Sequence, residues 1–399
     1  MLHLGFCPIR PSASSEGMTT MTVNSVDSRA GWYVNATARS WRTGPVASTI
    51  REFHHSLPGY APTPLVSVPG IAAALNVGAV FIKDESQRLG LPAFKILGAS
   101  YAISRALSSR LDAPDRAMSL DELRERLGAS STLSLAAATD GNHGRAVAHV
   151  AHLLGLPATI YVPDGVSQAA KDAIVGEGAT LVVLDVPYDD VVQHAKNASV
   201  GETVLIQDTA WSGYEDIPQW IVDGYDTMFA EIDKQLRAAG VNRLDLVVAP
   251  SGVGSFAQAV VAHYRSTEHT PAVLSVEPDT ASSVTSSLAA GHLTSVSTAG
   301  TIMTGLNCGT VSEIAWPILL AGLDASVTVT DAEALAAVRD LASDGVDSGP
   351  CGASTLAGAR AVLTDPDRRA ELNISEDAVV VLLSTEGRSA NPKGFTPDA

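Results

Sequence analysis

From Val80 onward, short runs of β-branched and apolar residues alternate with segments of helical spacing. That alternation confines a chain to a parallel sheet covered by helices on both faces. Residues 80–83, 132–137, 159–162, 180–186 and 203–207 read as strands in the first half. Between them lie a helix whose apolar face uses Val147, Val150, Ala151 and Leu154, a helix over 168–176 with Ser167 as its N-cap, and a helix through Val191 and Ala195. The second half repeats the rhythm, with a long helix over 218–239, a strand over 244–249, a helix over 256–264 and a strand over 272–277. Thr330-Asp331-Ala332-Glu333 has capping-box spacing, which predicts a helix through Leu335, Val338 and Leu341. Residues 378–383 form a near-continuous apolar run, the pattern of a central strand buried on both faces. The expected fold class is a two-lobed α/β parallel-sheet fold. Residues 41–95 and 201–399 make its larger lobe, residues 96–200 a smaller inserted lobe, and residues 1–40 a poorly ordered tail. The Ser-, Thr- and Gly-rich stretch 291–309 is the candidate for a long functional loop.

Charge excludes some functions. The net charge is −17 and no basic run supplies a positive face, so neither nucleic acid nor an anionic membrane is expected as a partner. No apolar run approaches the roughly 18 residues that span a bilayer. The three cysteines, Cys7, Cys308 and Cys351, have no C-x-x-C spacing, which argues against a disulfide framework or structural zinc and makes the cytoplasm the default compartment. The apolar opening, residues 1–7, is too short for a secretory segment, and Met18 and Met21 are alternative starts.

Three stretches carry candidate chemistry. Lys95 lies among apolar neighbours in Leu91-Pro92-Ala93-Phe94-Lys95-Ile96-Leu97-Gly98, at the start of a helical segment. Desolvation and a helix N-terminus both lower an ammonium pKa, so this amine suits covalent capture of an aldehyde; the alternative is an interfacial lysine whose amine reaches water. Ser251-Gly252-Val253-Gly254-Ser255 follows a strand and opens a helix, where backbone N–H groups favour an anion and glycine admits a phosphate. The same stretch fits G-x-G-x-x-A ending at Ala257, with Glu277 about 20 residues on, so a dinucleotide site is a rival and a plain turn a third reading. Thr139-Asp140-Gly141-Asn142-His143-Gly144 is a second helix start able to take an anion. Of the histidines beside it, His149 and His152 share a helix face, yet no carboxylate stands in ligand spacing, so no metal is expected. His54-His55 reads as exposed loop.

Together these motifs identify a resemblance. Ala93 to Ala99, Asp140 to Gly144, the Gly252/Gly254 loop and Ser384-Thr385-Glu386-Gly387 occur in the order of pyridoxal-phosphate enzymes of the tryptophan synthase β-like fold, fold type II. Within that superfamily the chain most closely resembles the diaminopropionate ammonia-lyases. The narrowing features are residues 53–64, Lys83-Asp84-Glu85-Ser86, Thr139 to Arg145 and Gln207-Asp208-Thr209-Ala210-Trp211 through Gly213-Tyr214. The resemblance spans about residues 40–387.

It implies pyridoxal 5'-phosphate held covalently by Lys95, with Phe94 beside it, its phosphate cradled by Gly252, Val253, Gly254 and Ser255, its ring hydroxyl on Asn142 and its pyridine nitrogen on Ser384, with Thr385 as fallback. Lys95 and Asp140 would be bases on opposite faces of the substrate, and Asp208 a second acidic group; Thr139, Gly141 and His143 would contact the substrate. Asp140 as a simple helix cap remains an alternative. Val253 and Ser255 depart from the glycine run of several superfamily members. The implied reaction is α,β-elimination of ammonia from D- or L-2,3-diaminopropionate, giving pyruvate, by a homodimer. A serine or threonine dehydratase, a β-replacement synthase, a nicotinamide dehydrogenase using Gly252, Gly254 and Glu277, and a non-catalytic cofactor binder remain rivals.

Overall fold

A computed structural model describes residues 31–45, 47–139 and 141–391. Among them, eleven strands divide between two sheets. The larger has the order β1-β10-β9-β8-β11-β3-β2, comprising β1 (Trp32–Val34), β2 (Leu65–Ser67), β3 (Ala79–Asp84), β8 (Leu246–Pro250), β9 (Ala272–Pro278), β10 (Ala325–Val329) and β11 (Val379–Ser384). Its edge strands β1 and β2 are antiparallel to their neighbours, and β10, β9, β8, β11 and β3 run parallel. The smaller sheet, β6-β5-β4-β7, is all parallel and contains β4 (Ser134–Ala138), β5 (Ala158–Pro163), β6 (Thr180–Leu184) and β7 (Thr203–Leu205). Every residue of β8 and β9 is buried, as expected of strands covered on both faces.

Local signals in the sequence appear where expected. Ser167 accepts from the Ala170 N–H at the start of helix Gln168–Gly176. Thr330 and Glu333 form both bonds of a capping box at helix Asp331–Ser343. Four expectations are corrected. Trp32–Val34 pairs with β10, so residues 32–34 belong to the large sheet and not to a tail. β7 pairs with β4, carrying the small sheet to Leu205, past the boundary at 200. The long helix over 218–239 is two, Asp216–Gly224 and Asp226–Ala238. The break falls where Gly224 lies against Leu97-Gly98: a Cβ on Gly224 would come 2.6 Å from the Leu97 carbonyl oxygen.

The fourth concerns His54, which is fully buried in helix Thr49–His55 and not in an exposed loop. Its Nε2 donates to the Leu97 carbonyl at 2.9 Å, leaving Nδ1 to accept from the Thr227 hydroxyl at 2.6 Å. Burial pushes this imidazole down to about 4. No described helix is long and apolar enough to cross a membrane.

Candidate active site

In open parallel sheets the loops that leave the C-terminal strand ends diverge and leave a crevice. Here the two sheets turn those ends towards one cavity of about 490 Å³, a volume within the ~300–1,000 Å³ range of small-molecule sites. Lys95 follows β3, residues 252–255 follow β8, Thr385 and Glu386 follow β11, Gly141 and Asn142 follow β4, and Asp208 follows β7; all of them line it.

Lys95 caps helix Ile96–Arg110. Its loop is stapled to the end of β11: the Phe94 N–H donates to Thr385 O at 3.1 Å and the Gly387 N–H to Pro92 O at 2.9 Å. The Phe94 ring packs on Tyr225 and Phe256, with centroids 4.7 and 4.4 Å away. Lys95 Nζ donates to Asp208 Oδ2 at 2.8 Å. Burial alone would push the Asp208 carboxyl up, but the Lys95 and His143 charges outweigh it and hold Asp208 at about 2. Asp208 is thus a carboxylate facing the amine at any working pH.

The glycine loop has the shape that its composition requires. Gly254 has φ +92°, a left-handed conformation that side chains disfavour, and helix Ser255–Arg265 begins immediately after it. The first N–H groups of that helix have no intrahelical acceptor, and Gly254, Ser255 and Phe256 line the cavity. A Cβ on Gly252 would come 3.0 Å from Gly305 O, so the loop 300–308 packs closely over it, and that loop also lines the cavity. This is the second half of the stretch 291–309 singled out in the sequence. The Ser255 hydroxyl donates to Asp208 O at 2.8 Å, tying the phosphate-type loop to the lysine's partner.

Other expected site residues stand elsewhere. Thr139 is buried behind the wall, where its Oγ1 accepts from the Gly141 and Gly144 N–H groups at 2.9 and 3.0 Å; it shapes the turn and does not face the cavity. His143 is also behind the wall: Nε2 donates to Ile206 O at 2.7 Å, and Nδ1 lies 4.0 Å from Asp208 Oδ2. Burial pushes its imidazole pKa down, against the pull of the Asp208 carboxylate. Gly141, at φ +150°, does line the cavity. Ser384 is fully buried, its Oγ donating to Ser348 Oγ at 2.8 Å, so Thr385 is the hydroxyl on the cavity wall at this end of β11. Asp140 lies outside the described residues.

Glu277, the acid that the dinucleotide reading needs, is fully buried and accepts from Val284 N, Thr285 N and Thr285 Oγ1 at 2.8, 2.7 and 2.6 Å. It caps helix Ser283–Ala290 and is not on the cavity, so it cannot serve as a ribose partner there. Among the described residues no cluster of three or more His, Cys, Asp or Glu could hold a metal. Sequence reasoning missed a role for Glu386, whose Oε2 accepts from Asn142 Nδ2 at 2.6 Å across the cavity. A carboxylate next to a glycine in a strand-end loop was its only signal.

A phosphate-bearing aldehyde fits this donor set. The amine for the aldehyde and the helix N-terminus for the phosphate face one cavity, and the loop between them has the glycine conformation that close approach demands. Comparison with known proteins agrees. The model of the family described as pyridoxal-phosphate dependent enzyme matches residues 57–386. Diaminopropionate ammonia-lyase from Escherichia coli strain K12 is 38% identical over 357 residues, covering 86% of this chain and 88% of that one. The Salmonella typhimurium enzyme of the same name is 35% identical, covering 89% and 92%. The crystal structure of the E. coli enzyme in complex with D-serine superposes with a TM-score of 0.79 at 33% identity, over 90% of this chain and 94% of that one. A match across most of both chains, with the amine and glycine loop on one cleft, places this protein in the pyridoxal-phosphate dependent enzyme family, among the diaminopropionate ammonia-lyases.

Proposed function

We propose that the protein eliminates ammonia from 2,3-diaminopropionate. The substrate loses its α-proton and β-amino group, and the three-carbon product takes up water and releases a second ammonia to give pyruvate. Bound pyridoxal phosphate supplies a carbonyl that captures the α-amino group and an electron-withdrawing ring that acidifies the α-carbon. The residues supply position and proton transfer. Lys95 would hold the cofactor through Nζ and would take a proton at the same atom during the reaction. The Asp208 carboxylate, 2.8 Å from that nitrogen, orients it and attracts the substrate's ammonium. The N–H groups of 252–255 would hold the phosphate, Asn142 the ring hydroxyl, and Thr385 the pyridine nitrogen. Asp140 would remove the α-proton from the face opposite Lys95, so that both enantiomers could react. The family resemblance supports a homodimer, which sedimentation of the purified protein tests, and a cytoplasmic location.

The observation that carries this reading is the shared cavity of Lys95 and the Gly252–Gly254 loop, with a carboxylate on the amine. The test is an absorbance spectrum of the purified protein before and after addition of diaminopropionate, with pyruvate assayed in parallel. Pyruvate from diaminopropionate well above that from serine is expected; serine as the better substrate would make the protein a dehydratase. Lys95→Ala should abolish the visible cofactor band. Asp140→Asn should lose more activity with the D-substrate than with the L-substrate, and equal losses would remove the two-face scheme.

A further inference from the structure

One carboxylate in the cleft has no part in the reaction as proposed. Glu386 is 3% exposed and lies on the cavity wall just past β11. Its Oε1 accepts from the Cys351 N–H at 3.3 Å, in the first turn of helix Pro350–Leu363, while Oε2 accepts from Asn142 Nδ2 at 2.6 Å. One oxygen is thus anchored on the large lobe, and the other reaches across the cleft to the first residue of helix Asn142–Leu154 in the small lobe. The side chain has little freedom: a Cβ on Gly349 would come 3.0 Å from Glu386 Cγ and 3.1 Å from Oε1. The Glu386 carboxyl is raised above its ordinary value by burial, an effect only partly offset by its bonds to Cys351 and Asn142 and by the Lys95 charge.

An amide has two faces that differ in hydrogen-bonding sense, and Glu386 Oε2, 2.6 Å from Asn142 Nδ2, takes the acceptor's part. Against Glu386 only one orientation of the Asn142 amide is tolerated, because the flipped one would set Oδ1 against a carboxylate oxygen at hydrogen-bond distance. We infer that Glu386 is a positioning residue, whose carboxylate locks the Asn142 amide across the cleft so that its second N–H is presented to the oxygen-bearing edge of the cofactor ring. This rests on the reading that pyridoxal phosphate occupies the cleft with Asn142 at its ring hydroxyl. Glu386 then influences the cofactor through Asn142, so its influence disappears when Asn142 is removed.

A double-mutant cycle on the full-length protein tests this. Apoprotein of the wild type, Glu386→Ala, Asn142→Ala and the double variant is titrated with pyridoxal phosphate. The dissociation constant and the position of the visible band are read, with the melting temperature of each apoprotein as a measure of structural damage. Each single variant is expected to weaken binding by about tenfold, the scale of one hydrogen bond to a charged group. The double variant should be no weaker than Asn142→Ala, and all three should share the same band shift. Glu386→Gln, which keeps an acceptor but permits the flipped amide, should fall between wild type and Glu386→Ala; if Glu386→Ala does not fold, the cycle is run with this variant. Losses that multiply to about a hundredfold in the double variant, or an unchanged dissociation constant in Glu386→Ala, would overturn the inference. A wild-type protein that develops no visible band refutes the functional reading itself, a result distinct from either.

Discussion

Glu231→Gln is predicted to be among the most destabilising single-atom changes in the molecule. Lys83 at the end of β3, Arg88 in the loop that leads to Lys95, Glu85 and Glu231 form a buried cluster of two cations and two anions. Glu231, on helix Asp226–Ala238, accepts from Lys83 Nζ at 2.6 Å, from Arg88 at 2.7 and 2.8 Å, from the Tyr60 hydroxyl at 2.7 Å and from the Thr63 N–H at 3.3 Å. Burial alone would push its carboxyl up, but Arg88 and Lys83 overcome that and hold it at about 2. Measured from the ordinary 4.5, that is a stabilisation of roughly 3 kcal/mol at about 1.4 kcal/mol per unit. The substitution leaves a buried net positive charge, for which a broken buried pair costs about 3–5 kcal/mol. The two figures agree. At about 2.1 cal/mol/K per residue, the 399 residues have a melting entropy of roughly 0.8 kcal/mol/K, so the melting temperature should fall by about 4–6 °C.

The folded pKa of Glu231 is depressed, so its contribution is present above about 4.5 and is lost as pH falls towards 2. Differential scanning calorimetry of both apoproteins at pH 7 and at pH 4 should therefore show the gap narrowing in acid. A loss below 1 °C at pH 7, or a gap that does not narrow, refutes the view that this cluster is held by charge pairing.

The other predictions concern different parts of the fold. His263 is buried between Asp226 and Asp233, at 2.6 and 3.1 Å; burial opposes its charge, but the two carboxylates raise it to about 9. A raised folded pKa stabilises fully below about 6.5 and is lost as pH rises through about 9, so the wild type should lose roughly 3 kcal/mol across that window and His263→Asn should show a flatter melting profile between pH 6 and 10. Gly98→Ala would place a Cβ 2.7 Å from Ile221 O and from Tyr225 Cε1. Overpacking of this kind costs about 1–3 kcal/mol, and because Gly98 lies one turn beyond Lys95 the variant should also bind cofactor more weakly by titration. Asp208→Asn removes the carboxylate from Lys95 Nζ and should reduce kcat for diaminopropionate by at least about a hundredfold with the fold retained by circular dichroism.

What the amino-acid sequence determined alone is what depends on neighbours along the chain. A strand, a glycine turn and a helix start lie within a dozen residues of one another, so the loop 252–255, the Lys95 loop, the Ser167 cap and the Thr330 capping box were legible as strings. Their order along the chain was enough to suggest the family. Tertiary structure decided the contacts between distant positions. Lys95 and Asp208 are 113 positions apart, and Asn142 and Glu386 are 244 apart. Helix Pro350–Leu363, buried on nearly every side, is made of small residues with no amphipathic period, and no pattern announced it. His54 looked like loop because a polar pair commonly faces water; it is interior because Thr227 and the Leu97 carbonyl satisfy both ring nitrogens. Ser384 and Thr385 are adjacent in a strand end, and only the packing of Ser348 behind the sheet turns one hydroxyl inward and leaves the other on the cavity. Local chemistry chose the loops, and the burial of the two sheets against their helices chose which side chains meet.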